Sequence, residues 1–208
     1  MKGSFQNVAP EKRQRIIDAA IHEFGRHGYE SGSLDKIVLR AGISKGGLYE
    51  YIESKQDLFL FLAEYSYDSL YTYIKEQLAP GTGLPPDIID RIALVSRVAV
   101  DFYVKHPHII SFITKTSDIN DVRLKQRVQG VFKNHFDELF GDSDWSDVAF
   151  DREKVLGLLK WLLVRTRNSF LRSLTVLRNK NLSKTAYLED WDFHLRILRK
   201  GIYTAEDT

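Results

Sequence analysis

The stretch from residue 33 to residue 57 constrains this 208-residue chain more than any other. Ser33 and Ser44 stand where N-cap residues belong, because a hydroxyl can accept a hydrogen bond from a free amide of a helix's first turn. Gly42 lies between them, and glycine tolerates the positive φ of a tight turn after a helix. Four apolar residues recur at the spacing of one helix face: Leu34, Ile37, Val38 and Ala41. The pattern predicts two helices joined by a glycine turn, a helix-turn-helix.

The outer face of the second helix indicates more than a structural helix pair. It opens with Lys45, Gly46 and Gly47, and each glycine costs about 1 kcal/mol of helix propensity relative to Ala. Glycines at these positions are expected where a bulky partner approaches the backbone closely. The amides and partial positive charge of a helix N-terminus suit phosphate. Lys45 and Tyr49 lie four residues apart, on one outward face.

The segment AGISKGGLYEYIESK, residues 41–55, strongly resembles the signature of the TetR family of transcriptional regulators. Residues 15–29 resemble the family's first helix, so the resemblance covers about residues 10–62. Two positions depart from the family pattern. Ile52 replaces the usual Phe, which should only repack the core. Gly47 stands where Thr, Ser or Ala is usual, which removes a possible side-chain contact to DNA.

The resemblance implies an all-α fold of about nine helices. An N-terminal three-helix DNA-binding domain (residues 1–55) would be followed by a larger ligand-binding and dimerisation domain (residues 56–208). It also implies that the last two helices of two subunits form a four-helix interface. The sequence permits that arrangement, since the helix after Glu153 is apolar around much of its circumference and needs two partners.

Helical spacing and capping residues place the remaining elements. Residues 1–9 are expected to fray, and the first helix begins at Pro10 and ends near Gly28, with Tyr29 folding back towards Phe24 and Leu48. Residues 79–86, rich in Pro and Gly, break the chain, and residues 142–151 form an acidic loop. Six further helices are predicted, over about 54–78, 87–106, 108–115, 118–140, 153–179 and 185–203.

Composition excludes several classes of function. The chain has 43% hydrophobic and 28% charged residues, no cysteine and a net charge of +2, as in a soluble globular protein without disulfides or thiolate metal sites. No secretory signal and no run of about 20 apolar residues is evident, so a cytoplasmic protein with no membrane partner is expected. The six histidines lack the spacing of a zinc site. Without a nucleophile or cofactor motif, we expect no enzyme, no cofactor and no metal.

Bulk charge does not support DNA binding by itself. Residues 1–60 hold nine Lys or Arg against eight Asp or Glu, so DNA binding would depend on where the basic groups point. Lys45 is predicted to contact a guanine edge. Tyr49, Tyr51, Lys55 and the amides near Ser33 and Ser44 are predicted to hold phosphates. The full predicted DNA-binding set is Ser33, Ser44, Lys45, Gly46, Gly47, Tyr49, Tyr51 and Lys55.

The ligand-binding residues are less constrained by the sequence. Arg165 lies in an apolar helix and either faces solvent, pairs with an acid across the dimer interface, or lies in a cavity that binds an anionic amphipathic ligand. Five aromatic residues could line a pocket between helices, although core packing explains them equally well: Phe102, Phe112, Phe132, Phe136 and Trp161.

The sequence and the resemblance together predict a homodimeric transcriptional repressor. It would bind a palindromic double-stranded DNA operator with two recognition helices in successive major grooves. An unknown small-molecule effector would release it, acting through the long fourth helix. The alternative is that the C-terminal domain binds a protein partner instead of a small ligand.

Overall fold

The computed structural model of the protein describes residues 1–78 and 83–202. Within these ranges the fold is all-α, as predicted, with nine α-helices and a short 3₁₀ helix at Gly3–Asn7 and another at Thr116–Asp118. The helices are α1 (Pro10–Ser31), α2 (Leu34–Ala41), α3 (Lys45–Tyr49), α4 (Lys55–Gln77), α5 (Ile88–Lys105), α6 (Pro107–Lys115), α7 (Val122–Phe140), α8 (Arg152–Leu177) and α9 (Lys180–Ile202).

The chain packs as two compact units. Unit 1 comprises Met1–Ser69 and His106–His135, and unit 2 comprises Leu70–Lys105 and Phe136–Thr208. These units are defined by packing, whereas the boundary at residue 55 predicted from the sequence is a functional one and stays a prediction.

Unit 1 has a core that joins α1, α4 and α6 through aromatic rings. The Phe59 ring centroid lies 5.1 Å from that of Phe24 and 5.0 Å from that of Phe112, and all three side chains are fully buried. Gly25 lets α1 approach α6 closely, because a Cβ at this position would lie 3.2 Å from the backbone N of Phe112. The Tyr29 ring packs on Phe59, with 5.2 Å between centroids.

Unit 2 has an aromatic cluster shared by α5, α8 and α9. Ring centroids of Tyr103, Phe170 and Tyr187 lie 5.7 to 5.9 Å apart, and Trp191 follows one turn after Tyr187. Between α5 and α9, ion pairs lie along the edge of this cluster: Arg97–Asp192, Lys184–Asp101 and Arg199–Asp90. Because these pairs are exposed at the surface, the apolar cluster contributes most of the packing energy.

A buried arginine holds the loop after α7 in unit 2. Arg91 is 3% exposed, and its guanidinium donates to the carbonyls of Pro85 and Leu139, at 2.6 and 3.1 Å. It also pairs with Asp142, and this hydrogen bond lowers the pKa of the Asp142 carboxyl. Arg91 is therefore a structural cation.

Several helix ends differ from the predicted ones. α7 begins at Val122 because Asp121, not Asp118, accepts the Leu124 N–H at 2.9 Å. α9 begins at Lys180 rather than near residue 185, since the Asn179 side chain accepts the amides of Asn181 and Leu182. Gly28 does take a positive φ of 72°, but helical hydrogen bonding resumes after it to Ser31. Of the predicted break at 79–86, residues 79–82 lie outside the described ranges.

The expectation that residues 1–9 fray is wrong. Residues 3–7 form a 3₁₀ helix, and the side chain of Phe5 is 2% exposed. Phe5 is the one apolar aromatic residue in this polar stretch, and Phe is among the residue types most often buried. The aromatic residues that receive it, Tyr51 and Phe61, are distant in sequence.

Candidate nucleic-acid interface

The turn between α2 and α3 is closed by the residues that the sequence indicated. The Ser33 hydroxyl accepts the Lys36 N–H at 3.4 Å at the start of α2. Gly42 ends α2 with φ 67° and ψ 40°, in the left-handed region. The N–H of Ile43 donates to the Val38 carbonyl and that of Gly42 to Leu39, at 3.1 and 3.3 Å. This is a Schellman ending, which turns the chain sharply into the next helix.

α3 is short and sits on one buried anchor. The Ser44 hydroxyl accepts the Gly47 N–H at 3.0 Å, as an N-cap does. Leu48 is fully buried, whereas Tyr49 is 41% exposed. Ile52 is buried too, as predicted, but it lies after the helix, which ends at Tyr49. Lys45, Gly46 and Tyr49 therefore form an exposed surface at the tip of unit 1, which we call the α3 tip.

The two glycines of α3, Gly46 and Gly47, have different structural surroundings. A Cβ built on Gly46 would have no atom within 4 Å, so the fold does not require glycine there. A Cβ on Gly47 would lie 3.1 Å from the Ser44 Oγ, the atom that caps the helix. Gly46 thus keeps an exposed backbone open without any benefit to packing, which favours close approach by an external molecule.

Lys45 has a partner within the same unit. Its Nζ lies 2.8 Å from Asp35 Oδ1, and both side chains are more than half exposed. This hydrogen bond raises the pKa of the Lys45 ammonium, so the group is fully charged at neutral pH. An exposed pair of this kind is weak, and a nucleic acid can replace Asp35 as the partner of the ammonium.

Tyr51 and Lys55 lie deeper than the α3 tip. Tyr51 is 8% exposed, and its hydroxyl accepts a hydrogen bond from Lys12 Nζ at 3.1 Å. Lys55 Nζ donates to the Glu30 carbonyl at 3.0 Å and lies 5.0 Å from the Tyr29 ring centroid. Burial lowers the pKa of Lys55. The sequence did not indicate these internal partners, and the phosphate role of both residues stays a prediction.

The end of α3 is covered by a segment that sequence reasoning missed. We call residues Lys2–Asn7 the N-terminal arm. The Lys2 Nζ donates to the carbonyl of Tyr49 at 2.8 Å, and the Ser4 Oγ donates to that of Glu50 at 2.8 Å. The Lys2 backbone N–H donates to the carbonyl of Tyr51, also at 2.8 Å.

The six candidate ligand-binding residues are divided between the two units. Phe112 and Phe132 belong to unit 1, and the other four belong to unit 2. Phe102, Phe112 and Phe136 are buried core residues, and Phe132 is half-buried against Tyr67. None of the six lines either of two open grooves in unit 2, of about 450 and 510 Å³.

Trp161 and Arg165 are both exposed in the single chain, with Trp161 58% exposed. The role of Trp161 and Arg165 in ligand binding stays a prediction. The buried arginine of α8 is Arg167, which is 5% exposed. Among the described residues, its Nε has no hydrogen-bond partner.

Comparison with protein families gives a match over the same region as the α3 tip. Residues 16–62 match the family described as "Bacterial regulatory proteins, tetR family". Among the helices of residues 1–78 and 83–202, none has the length and apolar character needed to cross a bilayer.

Several curated proteins are similar to the N-terminal part of the chain. The HTH-type transcriptional regulator YuxN of Bacillus subtilis is 41% identical over 64 residues, which are 31% of this chain and 22% of that protein. The HTH-type transcriptional regulator AcrR of Shigella flexneri is 33% identical over 86 residues, 41% of this chain and 40% of AcrR. The chain thus matches less than half the length of these relatives.

Solved structures are similar over nearly the whole chain. A TetR family transcriptional regulator from Chloroflexus aurantiacus superposes with a TM-score of 0.70 at 21% identity, covering 98% of each chain. FadR of Bacillus subtilis, solved in complex with stearoyl-CoA, gives 0.64 at 17% identity, over 86% of this chain and 96% of FadR. At these identities the likeness concerns the fold.

The capped helix pair, its exposed α3 tip and the all-α remainder define a protein of the helix-turn-helix class. Within this class, the family match over residues 16–62 and the structural similarity over nearly the whole chain both point to the TetR family. Residues 16–62 therefore match the TetR family of bacterial regulatory proteins, and the fold of the chain is similar to that of solved TetR family regulators.

Proposed function

We propose that the protein is a dimeric repressor that binds a palindromic DNA operator and is released from it by a small-molecule effector. The observation that carries the proposal is the α3 tip. Gly46 leaves its backbone open, Lys45 carries an exposed charge, and Tyr49 presents an exposed phenol on the same face. These groups suit a helix tip that enters a major groove, where Lys45 would contact a guanine and Tyr49 a phosphate.

Exposed apolar residues on α8 and α9 support a homodimer. The described surface of the chain exposes large apolar side chains on these helices: Leu158 (41%), Trp161 (58%), Val176 (77%), Leu177 (44%), Leu182 (54%), Phe193 (53%) and Ile197 (56%). Apolar surface of this extent calls for a partner. In a symmetric dimer both subunits supply the same two helices, which gives a four-helix interface.

The buried arginine of α8, Arg167, supports an anionic effector. Arg167 is a buried cation whose Nε lacks a partner among the described residues, and such a group is costly unless an anion pairs with it. FadR of Bacillus subtilis, similar in fold, is in complex with stearoyl-CoA, which is an anionic amphipathic molecule. We therefore assign to Arg167 the role that the sequence suggested for Arg165.

Release would follow from differential binding. An effector lowers operator affinity only as far as it prefers the conformer whose recognition helices are badly spaced for DNA. α4, continuous from Lys55 to Gln77, contributes residues to both units and is the element through which we propose the change passes. A repressor of this kind acts on chromosomal DNA in the cytoplasm.

The proposal is tested by selecting binding sites from random duplex DNA with the purified full chain. We expect a two-fold symmetric site with half-sites about 10 base pairs apart or a multiple of that spacing.

Fatty acyl-CoAs and other anionic metabolites are then screened for release of the selected duplex, with Arg167→Met as the comparison. No enriched duplex would contradict the DNA-binding function. Release that is equal in wild type and Arg167→Met would contradict the effector assignment alone.

A further inference from the structure

The N-terminal arm meets α3 at the end opposite to the predicted DNA-reading turn. Three successive carbonyls, of Tyr49, Glu50 and Tyr51, each accept a hydrogen bond from the arm, and all three N···O or O···O distances are 2.8 Å. The last carbonyls of an α-helix have no donor within the helix. Of the three, only the Tyr49 carbonyl belongs to α3, since Glu50 and Tyr51 follow its last residue. The arm therefore adds donors from a distant part of the chain to the local hydrogen bonds that the N–H groups after α3 make to the Gly46 and Leu48 carbonyls.

α3 needs such support more than α2, the other helix of the pair. It has five residues, two of which are glycine, and so short a helix is not stable by its own hydrogen bonding. α2 ends in the left-handed Gly42, whereas the residue after α3, Glu50, stays right-handed at φ −65° and ψ −23°. The ammonium of Lys2 also lies at the negative end of the helix dipole, where a cation is favourable.

The arm is held in place by an apolar anchor. The Phe5 ring centroid lies 5.7 Å from that of Tyr51 and 5.5 Å from that of Phe61, edge-on to the latter. Tyr51 is in turn bound by Lys12 of α1, whose Nζ donates to its hydroxyl at 3.1 Å. The arm thus connects the end of α3 to α1 and α4 within unit 1.

We propose that Lys2 and Ser4 are positioning residues for operator recognition. They fix the C-terminal end of α3, and through it the direction in which Lys45 and Tyr49 point. The proposal rests on the proposed function, because its consequence is for DNA binding. It predicts that operator affinity depends on side chains that contact the protein's own backbone and not DNA.

Hydrogen exchange tests the positioning role without DNA. In the full chain, Lys2→Met with Ser4→Ala removes two of the three donors while Phe5 keeps its anchor. We expect exchange of the amides of residues 48–52 to become about three- to tenfold faster, as expected for the loss of a hydrogen bond. Gln6→Ala, an exposed change in the same arm, should leave exchange unchanged. Unaltered exchange in the double variant would overturn the proposal.

Salt dependence separates positioning from a direct phosphate contact. If Lys2 is a positioning residue, Lys2→Met should bind the selected operator about three- to tenfold more weakly. Its affinity for a scrambled duplex should change little. The slope of log K against log salt concentration should stay the same. Lys2→Arg should restore binding, since a guanidinium also donates. Equal loss on both duplexes, with the slope reduced by about 1, indicates a phosphate contact and contradicts the proposal. If wild type binds no duplex, the proposed function fails, while the exchange experiment still decides the role of the arm.

Discussion

At the residue scale, Gly46 is the position where folding and function give opposite expectations. Its added Cβ would meet nothing within 4 Å, and Ala is a better helix former than Gly by about 1 kcal/mol. We predict that Gly46→Ala leaves thermal stability equal or slightly higher and weakens operator binding by about tenfold or more, because a methyl group then stands between backbone and DNA.

The matched comparison for Gly46→Ala is Gly130→Ala, a helical glycine of α7 that also has open space around it. Gly130→Ala should bind the operator as wild type does. If Gly46→Ala also retains full affinity, the backbone of the α3 tip does not approach DNA closely.

Residues of the turn could be predicted because their chemistry is local. Ser33, Gly42 and Ser44 act on amides and carbonyls within a few residues of themselves, which a sequence window contains. The partners of Lys45 and Lys55, Asp35 and the Glu30 carbonyl, come from other helices. Their contacts depend on packing, so spacing along the chain could not indicate them.

At the element scale, the close approach of α1 and α6 depends on one glycine. In Gly25→Ala the new Cβ would lie 3.2 Å from the Phe112 backbone N and 3.5 Å from the His108 carbonyl oxygen. Backbone atoms cannot rotate away, so the helices must separate and the buried aromatic contacts of Phe112 loosen. We predict a loss of about 1–3 kcal/mol in the free energy of unfolding, as for other overpacked sites.

Urea unfolding measures this effect, with Gly130→Ala as the control within the same unit. That change should stabilise α7 by up to about 1 kcal/mol, since it improves helix propensity without a new contact. An equal stabilisation by both changes would show that α1 and α6 are not limited by the size of residue 25.

Helices could be predicted well as elements, but their ends less well. The apolar spacing that marks α5 and α8 extends over many residues, whereas the start of α7 is fixed by a single side chain, Asp121. The N-terminal arm was missed for a different reason. It has no repeating pattern, and its structure comes from one buried ring and from carbonyls more than 40 residues away.

At the scale of the whole molecule, the exposed apolar surface of α8 and α9 predicts assembly. α8 and α9 pack against each other through Phe170 and Tyr187. In an antiparallel pair, Trp161 then lies at about the same height along the helix axes as Ile197, and both side chains are exposed. We predict that Trp161→Glu converts a dimer to a monomer in sedimentation at micromolar concentration, because a charge would be buried without a partner.

Val122→Glu is the matched control, since Val122 is 66% exposed on α7 of unit 1. It makes the same exposed apolar-to-acid change away from α8 and α9, and the dimer should persist. A wild-type protein that sediments as a monomer, or a dimer unaffected by Trp161→Glu, would contradict the interface.

The most direct test of the account is the affinity of wild type and Lys45→Ala for two duplexes of equal length, the selected operator and a scrambled sequence. We predict that Lys45→Ala loses about 1–3 kcal/mol of binding free energy on the operator, as for a lost base contact, and far less on the scrambled duplex. Lys36→Ala, an exposed lysine of α2, serves as the comparison for a change in charge alone. If Lys45→Ala still prefers the operator as strongly as wild type does, the α3 tip does not read DNA sequence through Lys45, and the central claim is wrong.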